Sequence, residues 1–225
     1  MRHLPLPKTI ILVFISTLEL TACGGDCKSV LALPLKYQFL QQVSLVPYQE
    51  KYNIGDTIRF GFTDTGKMLL DTISNTFIKA DSLRYTIRAG ISRLDNYNQP
   101  IPALGYFYTS TNGLTFVQNT SGGSFAVTLF DTNLTACSAE PNLVYSAGVI
   151  PRQAGIYLLS FLVLEGINNC YNGSAEPAVV NFLFDLQDCN EDLLTGIASS
   201  SIDTADKAGY TKLALAKQVF IFEIE

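Results

Sequence analysis

The chain has 225 residues, 20 of them acidic and 15 basic, which gives a formal net charge of −5 at pH 7. Nucleic-acid binding depends mainly on neutralising phosphates, so an acidic chain without a basic tract is poorly suited to it. Anionic membrane surfaces are disfavoured for the same reason.

The N-terminus predicts an exported protein. Arg2 and Lys8 carry positive charge ahead of an apolar run from Thr9 to Leu18, and small residues then lead into Cys23. This order is typical of a secretory signal peptide. The run is about ten residues long, whereas a transmembrane helix needs ~20. We therefore expect residues 1–22 to be removed.

The tetrapeptide Leu20-Thr21-Ala22-Cys23 resembles the bacterial lipobox, which directs acylation of the cysteine and cleavage before it. The resemblance implies a lipid on Cys23 and anchoring in the bacterial cell envelope, at the outer membrane. Two or three acyl chains are enough for stable attachment. Two alternatives stay open: an ordinary signal peptide cleaved near Ala22, which would leave Cys23 for a disulfide, and a chance match in an uncleaved N-terminus.

The cysteine count fits a lipidated, exported chain. There are five cysteines, and a lipid on Cys23 leaves Cys27, Cys137, Cys170 and Cys189. Disulfides persist outside the cytosol, so we predict two. A local bridge between Cys170 and Cys189 is slightly favoured because the two flank a predicted strand, and Cys27 would then pair with Cys137. Free buried thiols are the alternative, whereas a metal site would lack both CxxC spacing and histidine.

Histidine is absent from the predicted mature chain, because His3 is the only one in the sequence. Nucleophile activation in Ser-His-Asp or Cys-His sites needs an imidazole, and catalytic zinc sites usually need one as a ligand. Hydrolysis by a pair of carboxylates stays open. We therefore predict a protein that is not an enzyme and has no cofactor. Tryptophan is also absent, which leaves 11 tyrosines for stacking on sugars.

A short tether, residues 23–34, leads into a region of alternating β-forming residues. We predict strands at Tyr37–Val46, Asp56–Phe62, Leu83–Ser92, Leu104–Thr109, Leu114–Gln118, Phe125–Asp131, Leu143–Ile150, Ile156–Glu165, Ala178–Leu186 and Val219–Glu223.

Alternation predicts which side chains of two strands face inward: Ile58, Phe60 and Phe62, and then Leu83, Tyr85, Ile87, Ala89 and Ile91. Three arginines, at positions 59, 84 and 88, fall on outward faces, where we expect cross-strand ion pairs. One helix is predicted over Thr204–Lys217, with Asp203 as its N-cap.

Many short strands separated by turn residues indicate an all-β fold. We predict an antiparallel β-sandwich over residues 35–225, with one short helix near the C-terminus. Two small sandwiches, about 35–136 and 142–225, are the alternative.

Two stretches resemble Ig-like domains. Tyr52–Ile58 contains Gly-Asp-Thr-Ile, which resembles the start of an early strand in many bacterial Ig-like domains. Ala154-Gly155-Ile156-Tyr157 resembles the approach to strand F, and this resemblance implies a turn at Gly155 and a tyrosine corner at Tyr157. Leu159 stands where many such domains have a cysteine. Together with the lipobox, the chain looks like exported, uncharacterised lipoproteins of Bacteroidota-type bacteria.

Oxygen ligands are densest at Asp188, Asn190 and Asp192, whose spacing resembles the opening of a calcium loop. The pattern then fails, because Leu193 stands where glycine is required and Ser199 where a glutamate is required. This is a weak calcium candidate, and a solvated acidic loop is the favoured interpretation.

Two further stretches are candidate contact surfaces. The run Tyr106-Phe107-Tyr108, with Phe116, is a candidate binding face, although one side of an alternating strand is ordinarily core. Val219–Ile224 either docks on another protein's sheet edge or forms the last strand of its own sandwich, which we favour.

The sequence thus predicts a non-enzymatic, lipid-anchored envelope protein that binds or scaffolds a protein or glycan partner. An accessory glycan-binding lipoprotein of a polysaccharide-uptake system is the first alternative, and it predicts exposed tyrosines on one face. A carboxylate-dependent hydrolase is the second, and it predicts two acids in one cleft.

Overall fold

The computed structural model describes residues 34–95, 107–111, 115–118 and 127–225. Within these ranges, the side chains of residues 107–111, 115–118, 127–130 and 165 are not described. The predicted signal peptide, Cys23, Cys27 and the tether up to residue 33 therefore lie outside the described residues. Leu35–Glu225 form one compact unit.

The described residues form fourteen strands: β1 (Tyr37–Val46), β2 (Lys51–Tyr52), β3 (Ile58–Asp64), β4 (Met68–Asp71), β5 (Thr76–Lys79), β6 (Leu83–Arg93), β7 (Phe107–Thr111), β8 (Thr115–Gln118), β9 (Val127–Thr135), β10 (Leu143–Val149), β11 (Gly155–Asn169), β12 (Ala175–Glu176), β13 (Ala178–Phe184) and β14 (Val219–Ile224). They also form one α-helix, α1 (Thr204–Leu215), and two 3-10 segments at Thr65–Lys67 and Glu191–Gly196.

The strands make two sheets of seven. The first has the order β5-β4-β1-β3-β10-β7, with β13 also paired to β1. The second has the order β2-β14-β11-β6-β9-β8, with β12 also paired to β11. The β1–β13 and β2–β14 pairs are parallel. The predicted all-β sandwich with one helix near the C-terminus is confirmed.

Strand β6 shows how alternation in the sequence builds the core. Its predicted inward residues are all buried, with exposed fractions of 5% or less: Leu83, Tyr85, Ile87, Ala89 and Ile91. On the outward face, Arg88 lies opposite Asp131 of β9 and donates to it through Nε and Nη2, both at 2.6 Å. The expected cross-strand ion pair is therefore present at Arg88.

Aromatic rings from both sheets meet at Phe161 of β11. Its ring centroid lies 5.6 Å from that of Phe60 in β3, 6.1 Å from that of Tyr145 in β10, and 5.6 Å from that of Phe182 in β13. Edge-to-face and tilted pairs at these distances are favourable. One aromatic cluster therefore ties the second sheet to three strands of the first.

The 3-10 segment Thr65–Lys67 interrupts the pairing along one side of β1. β3 pairs with the end of β1, through Ser44↔Gly61, whereas β4 pairs near its start, through Phe39↔Asp71. The residues between the two pairings loop out of the ladder and leave a gap beside Gln41. The β4–β5 hairpin was not predicted, because Met68-Leu69-Leu70 breaks the alternation.

Helix α1 begins where predicted. Asp203 is its N-cap, and the carboxylate accepts a hydrogen bond from the Asp206 amide at 2.8 Å. The helix ends at Leu215 rather than at Lys217, which has a left-handed backbone with φ of 58°. No helix in the described part of the chain is long and apolar enough to cross a membrane.

Candidate functional site

Cys137 and Cys170 form a disulfide, with Cα atoms 6.3 Å apart. They follow β9 and β11, which pair with opposite edges of β6. At the start of β6, the Ala136 amide donates to the Leu83 carbonyl oxygen at 2.9 Å, and the Cys170 amide donates to that of Ser82 at 2.8 Å. The disulfide therefore joins the two outer strands just beyond the end of the strand between them.

The predicted pairing of Cys170 with Cys189, and hence of Cys27 with Cys137, is wrong. The Cys189 carbonyl oxygen accepts from the Ile221 amide, and Ile221 lies opposite Leu158, near the start of β11. Cys170 follows the other end of that 15-residue strand, so the two are far beyond the ~7 Å that a disulfide allows between Cα atoms. Cys189 is a free, buried thiol whose pKa burial raises to about 11.

The weak calcium candidate serves as a loop anchor. The Asp188 carboxylate accepts from the Asn190 amide at 2.7 Å, and Asn190 has a left-handed backbone. The Asn190 side chain is 4% exposed and donates to the Ile221 carbonyl oxygen at 2.7 Å. Asp192 lies in the first turn of the following 3-10 segment. Nowhere in the described ranges do three Asp, Glu, His or Cys side chains meet in a group that could hold a metal.

The tyrosine corner predicted at Tyr157 has a specific geometry here. The Tyr157 hydroxyl donates to the Gln153 carbonyl oxygen at 3.1 Å, a backbone contact of the kind the motif implies. At Gly155, a Cβ atom would lie 2.8 Å from the Arg93 Nε and 2.9 Å from an Asp95 oxygen. These two side chains form an ion pair at 2.7 Å. Gly155 has a φ of 152°, which residues with a Cβ rarely adopt, and a Cβ atom there would also displace the ion pair.

The aromatic candidate falls largely outside the described part of the molecule. Tyr106 is outside the described residues, and of Phe107, Tyr108 and Phe116 only the backbone, in β7 and β8, is described. Val219–Ile224 forms β14 and pairs with β11, as the favoured interpretation predicted.

The most exposed described aromatic side chains do not share an element. Tyr48 precedes β2 and is 44% exposed, Phe77 in β5 is 67% exposed, and Tyr171 in the β11–β12 turn is 75% exposed.

A first cleft, here called the edge cleft, lies between β11 and β13 and has a volume of about 400 Å³. On one side of β11, β14 pairs with residues 155–160 and β12 with residues 167–168. Within the described chain, no strand pairs with Phe161–Gly166 on that side. β13 has β1 as its only described strand partner. The cleft thus lies between two strand edges to which no described strand pairs. At the end of β13, the Phe184 amide donates to the Lys217 carbonyl oxygen at 2.8 Å.

The edge cleft is lined mainly by apolar side chains. Phe161, Val163 and Ile167 come from β11, and Val180 and Phe182 from β13. Asn181 and Gln218 supply amide groups, and Leu162 is 46% exposed. None of the described side chains that line the cleft is charged. Such a surface fits an apolar, extended chain better than an ionic ligand.

A second cleft, here called the polar cleft, opens at the gap beside β1 and has a volume of about 300 Å³. Gln41 lies at an inward position of β1 and is 2% exposed. Its Nε2 donates to the Asp64 Oδ1 at 3.1 Å. Phe62, Met68, Leu70 and Phe77 supply apolar lining, and Asp185 supplies a second carboxylate.

Burial controls the charge of Asp64. It raises the pKa of the carboxyl to about 6, and the hydrogen bond from Gln41 offsets this only in part. Burial, and then the charge of Asp64, also raise the pKa of the Tyr85 hydroxyl. Ionised Asp64 is therefore in a poorly solvated position at neutral pH.

Sequence reasoning missed the polar cleft, although a signal was present. Ile58, Phe60 and Phe62 were predicted to face inward, and two residues further the same alternation reaches Asp64. Gln41 likewise falls between the buried Phe39 and Val43 in β1. A polar residue at an inward strand position is the informative exception in such a pattern.

No protein-family model matches this chain, no curated protein matches it, and no solved structure matches it. The two clefts and their side chains are therefore the features from which a function can be inferred.

Proposed function

We propose that this chain is a non-enzymatic, lipid-anchored protein of the bacterial cell envelope, attached to the outer membrane through Cys23. It binds a partner protein, which adds an extended segment at the edge cleft. The observation that supports the binding function is a pair of strand edges, Phe161–Gly166 and β13, to which no described strand pairs and which flank a cleft lined mainly by apolar side chains.

The edge cleft offers the interactions used in strand addition. Because no described strand pairs with Phe161–Gly166 on this side, its main-chain N–H and C=O groups would pair with those of an extended peptide. A glycan has no such repeat of amide groups. Pairing with β14 ends at Ser160 and pairing with β12 begins at Ile167, so the edge without a described strand partner is only six residues long. The partner segment is therefore short.

The lining specifies the partner's side chains. Alternate residues of an extended segment point the same way, so one set would face Phe161, Val163 and Val180 in the cleft. Because the described lining is uncharged, that set is apolar. The other set faces outward, beside the half-exposed Leu162.

Site-specific photo-crosslinking in the bacterial envelope tests the partner. A crosslinker replaces Leu162 in one variant and, as a matched control, Leu215 on α1, which is 65% exposed. We expect a crosslinked partner only from position 162. A synthetic peptide of the crosslinked segment should then bind the purified protein, and Leu162→Lys should weaken this binding while Leu215→Lys leaves it unchanged.

Three results would contradict the binding proposal. They are crosslinks only to the chain's own residues 23–33, crosslinks only to a second copy of the chain, and a peptide that binds the Leu162→Lys variant equally well. The first result would show that the chain's own tether covers the edge cleft, and the second that a second copy of the chain does.

Intact-mass spectrometry of protein purified from bacterial membranes tests the anchor separately. We expect a mass that corresponds to Cys23–Glu225 plus diacylglycerol. A chain that retains Met1, or one that begins at Cys23 without lipid, would disprove the anchor and leave the edge-cleft proposal to its own test.

The carboxylate-dependent hydrolase is the second candidate, because Asp64 and Asp185 line one cleft. A raised pKa such as that of Asp64 suits a general acid. Nitrophenyl glycosides test this function. Release of nitrophenol that is lost in Asp64→Asn and Asp185→Asn, but kept in Asp81→Asn, would establish it. No release by the wild-type protein from any of these substrates would count against it.

A further inference from the structure

The polar cleft contains two buried acceptor atoms that lack partners. Among the described residues, neither the Gln41 Oε1 nor the Asp64 Oδ2 has a hydrogen-bond partner. Only 2% of Gln41 is exposed, and its amide nitrogen already donates a hydrogen bond to Asp64. Buried acceptors without a donor are unfavourable. A ligand that supplies donors would satisfy both atoms.

The donor that fits best carries a positive charge. A carboxylate and an amide oxygen accept hydrogen bonds only, so an anionic or acceptor-only ligand would be repelled. An ammonium group has three donors and no acceptor, and hydrogen bonds to an ionised carboxylate are about twice as strong as neutral ones. Asp185, also in the lining, adds negative potential at the same cleft.

The neighbouring cation Lys67 does not supply the missing donor to Asp64 or Gln41, because its hydrogen bonds go elsewhere. Lys67, three residues after Asp64, is buried, and its ammonium donates to the carbonyl oxygens of Ala136 and Ser138 at 2.6 and 2.7 Å. The Lys67 ammonium therefore lies beside the disulfide, where it binds carbonyl oxygens on either side of Cys137. Tyr85, whose buried hydroxyl also lacks a partner in the described chain, stays neutral because burial and then the charge of Asp64 raise its pKa.

The apolar lining of the cleft indicates which kind of ligand would carry the ammonium group. Leu70, Met68 and Phe77 line it, and the last two are 37% and 67% exposed. They form an apolar path from the surface toward Asp64. An unbranched alkyl chain would pack along this path with its charged end inward. Lysine stems pack on apolar surface in the same way, but with the charged end toward water.

We propose that the polar cleft binds a primary ammonium group on an unbranched alkyl chain, through the Asp64 carboxylate and the Gln41 amide oxygen. A lysine side chain of a peptide and a free aliphatic amine share this chemistry. The proposal is independent of the partner bound at the edge cleft.

Titration calorimetry with n-pentylammonium chloride at pH 7.5 tests the site, with 1-pentanol as the uncharged ligand of equal length. We expect saturable binding of the amine and none of the alcohol. Asp64→Asn should weaken amine binding by about tenfold or more, since it replaces an ionic hydrogen bond by a neutral one. Asp81→Asn, an exposed aspartate paired with Lys79, is the matched control and should bind like wild type.

The pH dependence provides a second readout on the wild-type protein. Protons compete with the amine for Asp64, so affinity should fall about tenfold from pH 7.5 to pH 5, as the ionised fraction of a group with a pKa of about 6 falls. Three other charged groups lie near Asp64 in the fold or in the chain, namely Asp185 in the cleft lining, Asp71 in β4 and Lys67. Hydrogen bonds from the Ser74 side chain and the Gln38 amide lower the pKa of Asp71 to about 2, below this pH range. The Asp64→Asn variant should lose this dependence.

The source of the amine is distinguished by comparing Nα-acetyl-lysine methylamide with 1,5-diaminopentane. Tighter binding of the blocked lysine supports a peptide lysine, and tighter binding of the diamine supports a free polyamine. Equal binding of pentanol and pentylammonium, unchanged affinity in Asp64→Asn, or the absence of saturable amine binding would overturn the proposal.

Discussion

At the scale of single residues, Asp64 is notable because its surroundings disfavour ionisation of its carboxyl group. Its carboxyl is buried beside Gln41, which raises its pKa from 3.8 to about 6. A pKa that is higher in the folded state means that ionisation favours unfolding. The cost is absent below about pH 4, grows as the pH rises to about 6, and is complete above it.

Asp64→Asn should therefore stabilise the protein at neutral pH. Because Asp64 is partly exposed, we expect a gain of about 1–2 kcal/mol in the free energy of unfolding at pH 7.5, and no gain at pH 3.5. Urea denaturation at both pH values measures it, with Asp81→Asn as the control. An equal gain at both pH values would show that charge burial is not the cause.

At the scale of elements, the disulfide holds together the ends of two long strands. It bridges β9 and β11 across the start of β6 and closes a chain segment with a sequence separation of 33 residues. A cross-link over a segment of this length restricts the unfolded chain substantially. Cys189 takes no part in it and is buried elsewhere as a free thiol.

Removing the disulfide should destabilise the sandwich without changing its fold. We expect the Cys137→Ala, Cys170→Ala double variant to lose about 3 kcal/mol in the free energy of unfolding. Reducing the wild-type protein should cause a similar loss. The Cys189→Ala variant should keep the full response to reduction. If instead that variant no longer responds, Cys189 belongs to the disulfide and the observed pairing is wrong.

At the scale of the whole sandwich, the aromatic cluster at Phe161 makes the two sheets depend on one another. Phe161 in the second sheet contacts rings of Phe60, Tyr145 and Phe182 in the first. Two small, separate sandwiches divided near residues 136–142 would not share such a cluster. A single cooperative unfolding transition is therefore expected for residues 35–225.

Phe161→Ala should lower the free energy of unfolding by about 3 kcal/mol, because it leaves a cavity between the sheets. Leu162→Ala, at the next position and 46% exposed, is the control and should cost less than about 1 kcal/mol. Denaturation followed by circular dichroism and by tyrosine fluorescence should give coincident curves for both variants. Two separate transitions would favour two sandwiches.

Local pattern was sufficient to predict most of the longer strands and the helix. The alternation in β1 and β6 and the N-cap at Asp203 are visible in the sequence, because side-chain direction within a strand and capping of a helix depend on neighbouring residues. The β4–β5 hairpin was missed because Leu69 and Leu70 stand together and break the alternation.

The sequence by itself determined the all-β class, the inward face of β6 and the start of α1, and it also predicts a lipid on Cys23. Only the tertiary structure decided that Cys137 meets Cys170, that no described strand pairs with one edge of β11 beside β13, and that Gln41 lies against Asp64. Each of these contacts joins residues far apart in the chain. The sheet order sets them, and sheet order depends on packing of the whole sandwich rather than on local pattern.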